Sequence, residues 1–236
     1  ITGLDELRGI TAVEGWRRFG AATSWTDILR ADLPAAYSGL KAAAREIGGV
    51  QIQASGTIGG NLCTASPAGD SIPCLMTLNA AIELTSRRGA RRLPLNEFLT
   101  GPRQTACAPD ELVTAVYVPS DAEMGVGGFE KLGARRYLVI SIAMTAARLS
   151  IADGRIGDAA ISVGACAPVA VRLTELEAGL RGMACEMAGN FIRKSRSGIM
   201  AALSPIDDVR GTAGYRRDAA AEIVARLVER LCGEFG

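Results

Sequence analysis

The sequence predicts an α+β fold in two parts, and three observations predict it. Apolar–polar alternation marks strands at residues 80–85 and 112–118. Helix-spaced apolar stripes mark helices, with Tyr37, Leu40, Ala44 and Ile47 on one face early in the chain and Ile223, Val224, Leu227, Val228 and Leu231 on another near its end. Between them, Pro119–Gly128 has no periodicity and reads as a linker. A first unit over residues 1–119 and a second over 125–236 follow from that break, the second expected to be a small antiparallel sheet packed with helices.

Residues 1–22 read as a strand or two, closing at Arg18-Phe19-Gly20-Ala21-Ala22. Ser24 with Asp27 three positions later is a capping-box-like start for a short helix through Leu29. Pro34 to Ile47 reads as a second helix, stopped by Gly48-Gly49. Residues 50–75 are rich in Gly, Ser, Thr and Asn, lack periodicity and read as a long loop, a type of segment that tends to carry function. Past the linker, Phe129–Leu132, Val139–Ile151 and Ala159–Gly164 read as strands. Asp153-Gly154 is a hairpin signal between the last two. The remainder reads helical, with Leu173, Leu176 and Leu180 forming one stripe.

Composition excludes several functions. Hydrophobic residues make up 48% of the 236, enough for a core, while the net charge of +1 gives no electrostatic case for nucleic acid. Aromatics at 5% argue against base-stacking platforms. The longest apolar run, Tyr137 to Ala147, ends at Arg148 and falls short of the roughly 20 residues that span a bilayer, so no membrane span is expected. No signal peptide is visible. The chain contains no histidine, which removes Ser-His-Asp and Cys-His catalysis and histidine metal ligands. Its six cysteines show no C-x-x-C spacing, so no zinc or iron–sulfur site is expected, and they read as reduced thiols of a cytoplasmic protein.

One stretch carries chemistry: Ala54-Ser55-Gly56-Thr57-Ile58-Gly59-Gly60-Asn61-Leu62-Cys63-Thr64-Ala65-Ser66-Pro67-Ala68-Gly69-Asp70. Its glycines permit close approach of a ligand, and successive backbone N–H groups in such turns form concave anion sites. Thr57, Asn61, Thr64 and Ser66 add neutral donors, and Asp70 adds an acceptor for hydroxyls. The stretch is neither a P-loop, lacking Gly-Lys-Ser/Thr, nor a Rossmann G-x-G-x-x-G turn. By spacing alone a structural turn and a phosphate site are equally open.

Thr57-Ile58-Gly59-Gly60-Asn61, then Thr64-Ala65-Ser66-Pro67 and Asp70, resembles the second flavin-binding motif of the molybdenum hydroxylase flavoproteins, the xanthine dehydrogenase and carbon monoxide dehydrogenase family. The similarity extends to Gly20-Ala21-Ala22-Thr23, Pro94–Phe98 with Thr100-Gly101-Pro102, Asp110–Val113, Phe129–Arg136 and Ser204–Arg210 with Tyr215-Arg216-Arg217, in the family's order. The resemblance implies an FAD-binding α/β subdomain of the vanillyl-alcohol-oxidase/PCMH-like type, followed by the flavoprotein's C-terminal domain. It implies that Thr57, Ile58, Gly59, Gly60 and Asn61 hold the FAD diphosphate, with a hydrogen bond from Thr64. It also implies that Asp70 binds hydroxyls of the sugar or ribityl chain and that the Leu112 backbone touches the adenine end. The resemblance further implies that Lys131 lies near the isoalloxazine ring, favouring its reduced form, and that Ile47 shields the ring.

By the same resemblance the protein is an oxidoreductase component that takes electrons from iron–sulfur clusters of a partner and passes them to NAD⁺ or another acceptor. Molybdopterin belongs to a large partner subunit and two-iron clusters to a small one. The family's N-terminal Ala-Gly-Gly loop has no equivalent here, so the sequence is expected to be part of a longer chain. A cofactor-free assembly subunit that kept the fold is the alternative. A self-contained flavin oxidase with a histidyl-linked flavin is excluded by the absence of histidine.

Overall fold

The computed structural model describes residues 3–235; residues 1–2 of the expected N-terminal strand and residue 236 of the second unit lie outside the described residues. The first part opens with the hairpin β1 (Ile10–Val13) and β2 (Trp16–Gly20). Five short helices follow: α1 (Trp25–Arg30), α2 (Ser38–Glu46), α3 (Val50–Ser55), α4 (Ile58–Thr64) and α5 (Ser71–Thr77). Next come β3 (Ala81–Ser86), β4 (Gly89–Pro94), α6 (Leu95–Phe98), β5 (Leu99–Gly101), β6 (Gln104–Thr105) and β7 (Leu112–Pro119). The second part contains β8 (Val126–Leu132), β9 (Ala143–Ala152), β10 (Arg155–Gly164), β11 (Val171–Arg172), α7 (Thr174–Leu180), α8 (Cys185–Lys194), α9 (Arg196–Ala201) and α10 (Ala213–Phe235).

The α+β prediction holds. One antiparallel sheet runs β1-β2-β7-β3-β4 and another β11-β10-β9-β8. The Ser24–Asp27 capping box is present in full, each side chain bonded to the other's backbone N–H. Asp153 and Gly154 turn the β9–β10 hairpin with φ of 50° and 68°, both left-handed, as the Asp-Gly signal requires.

Two readings change. Residues 50–75 are not a long loop but three helices of six or seven residues. These are too short to display a stripe, and α5 is buried along its whole length, so it has no polar face to reveal a period. The linker is also shorter than expected, because β8 begins at Val126. Gly127 and Gly128 sit within that strand since α2 lies directly on it: a Cβ on Gly39 would come 2.6 Å from the Gly128 carbonyl oxygen.

The apolar run of β9 is explained by cover on both faces. Ala143, Ala147 and Leu149 pack toward α10 and the C-terminal helices. Met144 and Ala146 point the other way, into the core shared with the first part, where α5 lies. The second sheet therefore forms a wall against which α2 and α5 are fixed. Among the described residues, no helix is long and apolar enough to cross a membrane.

Candidate functional site

The glycine-rich stretch folds as α4, started by Thr57, whose hydroxyl oxygen accepts from the Gly60 N–H at 3.1 Å. The neighbouring amides are engaged inside the protein. Ile58 N–H donates to the Thr23 carbonyl at 3.0 Å, Gly59 N–H to Ala21 at 2.9 Å, and Asn61 N–H to Thr57 at 3.0 Å. This corrects the expectation of an open amide cradle over residues 57–61. Ser24 and Thr57 form an antiparallel bridge, which brings the carbonyls of the β2–α1 turn over the start of α4. Gly59 makes that approach possible, for a Cβ there would lie 2.7 Å from the Ala21 Cβ.

What stays open is side chain and surface. Gly60 is exposed, and a Cβ on it would meet only the Thr57 hydroxyl outside its own helix. Because Thr57 Oγ1 accepts from Gly60, its own proton remains available to donate to an anionic oxygen. Thr64 differs: its hydroxyl donates to the Gly60 carbonyl at 2.8 Å. In this conformation it can only accept, so the expected donation to a diphosphate is spent on its own helix.

Asn61 and Asp70 are joined through Ser71, whose hydroxyl donates to Asn61 Oδ1 at 2.8 Å. Asp70 directly precedes α5. Its Oδ2 accepts from Lys131 Nζ at 2.6 Å and its Oδ1 from Ser141 Oγ at 2.6 Å. The two charged side chains are 8% and 7% exposed. Burial pushes the Asp70 carboxyl above its usual range, against the opposing pull of Lys131 and Ser141. Each oxygen keeps a second lone pair beside these two donors.

Two arginines of the second sheet secure the far end of α5. Arg148 Nε donates to the Thr77 carbonyl at 3.0 Å and Arg172 Nη1 to Met76 at 2.7 Å, filling carbonyls that the helix end leaves open. Asp70 is thus carried on a short helix pinned at both ends.

Lys131 lines an open cavity of about 390 Å³, together with Ala42 and Glu46 of α2, Phe129 and Glu130 of β8, and Arg135, Arg136 and Val139 of the following loop. Lys131, Arg135 and Arg136 outnumber Glu46 and Glu130 on its wall, a modest bias toward an anionic ligand. Ile47 ends α2 immediately after Glu46 and is half-buried. Leu112 is 52% exposed at the first position of β7, opposite Thr85. The structure joins Asp70, Lys131 and Ser141 by hydrogen bonds, and Asn61 separately to Ser71, the next residue after Asp70, while Leu112 takes part in neither group. A larger cavity of about 690 Å³ between α7, α8 and α9 is lined by none of these residues. Ser71 and Ser141 were not singled out from sequence. The one available sign for Ser141 is a hydroxyl at the head of an otherwise apolar buried run.

Comparison with known proteins matches residues 1–121 to the FAD binding domain in molybdopterin dehydrogenase, and residues 129–231 to the CO dehydrogenase flavoprotein C-terminal domain. The nicotine 6-hydroxylase medium subunit of Paenarthrobacter nicotinovorans is 32% identical over 233 residues, which is 97% of this chain and 80% of that one. The xanthine dehydrogenase FAD-binding subunit of Escherichia coli O157:H7 is 33% identical over 75% of this chain and 62% of its own length. Among solved structures, a Cu,Mo-CO dehydrogenase in its cyanide-inactivated form superposes with a TM-score of 0.88 at 28% identity, covering 99% of this chain and 81% of that one.

Proposed function

Because the chain belongs to the family of FAD-binding flavoproteins of the molybdopterin dehydrogenases, we propose that it holds FAD across α4, α5 and β8 and serves as the electron-transfer subunit of a molybdenum hydroxylase-type complex. The observation that carries this reading is the buried ion pair between Asp70 and Lys131, whose lysine lines an open cavity. The residues present fit the cofactor. Thr57 offers a hydroxyl proton to a diphosphate oxygen, and bare Gly60 lets that group come close. Asn61, held by Ser71, would add its side-chain amide as a donor to the diphosphate. Ile58 and Gly59 support this surface from beneath, since both are buried. Thr64, whose proton goes to the Gly60 carbonyl, would offer the diphosphate no donor in this conformation, and the Leu112 backbone would meet the adenine end.

When bound, FAD supplies the exchange between paired and single electrons, and the protein supplies binding, orientation and electrostatics. Lys131 would present its ammonium group to the ring, with its charge offset by the paired Asp70 carboxylate. Asp70 fixes the direction of that ammonium, and Ile47 covers the ring edge against water. In this reading a molybdenum-cofactor large subunit and a two-iron small subunit deliver the electrons, and NAD⁺ or another acceptor removes them. Relatives named as medium subunits support the partnership. A cytoplasmic setting is part of the reading.

The internally bonded amides of residues 58–61 favour a second reading, an assembly subunit that kept the fold without the cofactor. Isolation of the complex with its full-length flavoprotein separates the two. A flavin absorption spectrum released as FAD on denaturation is expected. A colourless complex that takes up no FAD on titration would overturn the proposal.

A further inference from the structure

Asp70 receives two donors that come from the two ends of one chain segment. Lys131 stands at the exit of β8, and Ser141 at the return toward β9. Between them, residues 133–140 form the outer wall of the Lys131 cavity through Arg135, Arg136 and Val139. The segment is further closed at its root by the Ile142 N–H, which donates to the Leu132 carbonyl at 2.8 Å. Ser141 is 1% exposed, so its hydroxyl is withdrawn from water and its donation to Asp70 is not in exchange with solvent.

We propose that Ser141 is a positioning residue for the flavin: it holds the Asp70 carboxylate so that this carboxylate in turn aims and neutralises Lys131 on the wall of the ring cavity. The inference rests on the reading of Lys131 as the ring's neighbour. A carboxylate with one oxygen on the lysine could rotate or take up a proton; the second bond, from Ser141, fixes its plane and favours the ionised form. Lys131 then spends one N–H on Asp70 and keeps two further donors.

The charged and titratable groups around Asp70 are few. Lys131 approaches from β8 and Cys74 from α5 itself, its thiol donating to the Asp70 carbonyl. Arg148 of β9 and Arg172 of β11 meet α5 at its opposite end. Glu46 of α2, Glu130, Arg135 and Arg136 share the cavity with Lys131. With Asp70 ionised, the pair is neutral toward the ring. With Asp70 protonated, the charge of Lys131 would be uncompensated and would favour the reduced form of a bound flavin. The flavin midpoint potential therefore steps upward as pH falls through the Asp70 pKa.

The test uses the full complex carrying Ser141→Ala, Ser141→Thr and Asp70→Asn, with FAD content and midpoint potential measured across pH. Ser141→Ala is expected to keep its FAD and to move the step to higher pH by about one to two units, the effect of losing one hydrogen bond to a carboxylate. Ser141→Thr restores the native profile, and Asp70→Asn abolishes the step. A Ser141→Ala complex with full FAD and a potential–pH curve superimposable on the native one overturns the proposal while leaving the FAD reading intact. Absence of FAD from the native complex would instead defeat the reading on which it rests.

Discussion

Replacing Lys131 by methionine removes one partner of a buried ion pair and leaves its volume nearly unchanged. Asp70 would keep only the Ser141 hydroxyl. With the two charged side chains 8% and 7% exposed, water cannot replace the lost ammonium. Breaking such a pair costs about 3–5 kcal/mol. The structure sets a ceiling, because Asp70 can escape by taking up a proton. Protonating a carboxyl with an unfolded pKa of about 3.9 costs about 4 kcal/mol at pH 7 and about 1.5 kcal/mol at pH 5, at 1.36 kcal/mol per unit. The sign follows: a carboxyl whose folded pKa is raised loses stability as pH climbs above its unfolded value, until the folded pKa is passed. Urea denaturation of the full flavoprotein chain, native and Lys131→Met, at pH 7 and pH 5 measures this. The loss should be several kcal/mol at pH 7, shrink at pH 5, and be largely recovered by Asp70→Asn in the same chain. A loss below about 1 kcal/mol at pH 7, as for an exposed pair, or one that does not change with pH, would refute the reasoning.

Thr57→Ala removes the cap of α4 and a hydroxyl proton donor there, so unfolding free energy should fall by about 1 kcal/mol and FAD should dissociate more readily, with Thr57→Ser restoring both. Gly39→Ala drives a Cβ to 2.6 Å from the Gly128 oxygen and should lower thermal stability by at least about 1–3 kcal/mol, measurable by circular dichroism; a neutral result would show that α2 does not rest on β8. Glu111 has its pKa lowered to about 2, chiefly by its hydrogen bond from Arg91 and then by the Ala108 N–H. Its contribution to stability is thus present above its ordinary value near 4.5 and is lost as pH falls toward 2, so acid unfolding of Glu111→Gln should lack that component.

The strands and long helices were legible because each carries a period. The alternation of β3 and β7 and the apolar stripe of α10 are written in residue type alone. β4 was not legible: Gly89–Pro94 is an exposed edge strand, with arginines at two successive positions and no buried face to alternate. The helices of residues 50–77 escaped because Gly, Ser and Thr favour turns, and only capping and burial by neighbours make them helical here. Motif reading assigned Thr57–Asn61, Asp70 and Lys131 to one site; the structure pairs Asp70 with Lys131 and bonds Asn61 to Ser71, the residue after Asp70. It misjudged the donors: the amides of residues 58–61 answer carbonyls at Ala21, Thr23 and Thr57 and the Thr57 hydroxyl. A linear sequence does not reveal that those acceptors lie overhead. Ser141 was invisible for a similar reason, being 71 positions from the carboxylate it serves.

Amide hydrogen exchange of the full complex, read by mass spectrometry with FAD bound and with FAD removed, addresses the cofactor's placement most directly. Slower exchange confined to peptides covering residues 57–71 and 129–141 when FAD is bound is the expected result. Unchanged exchange in both peptides, with protection elsewhere in the chain, would contradict a flavin seated on Thr57, Asp70 and Lys131.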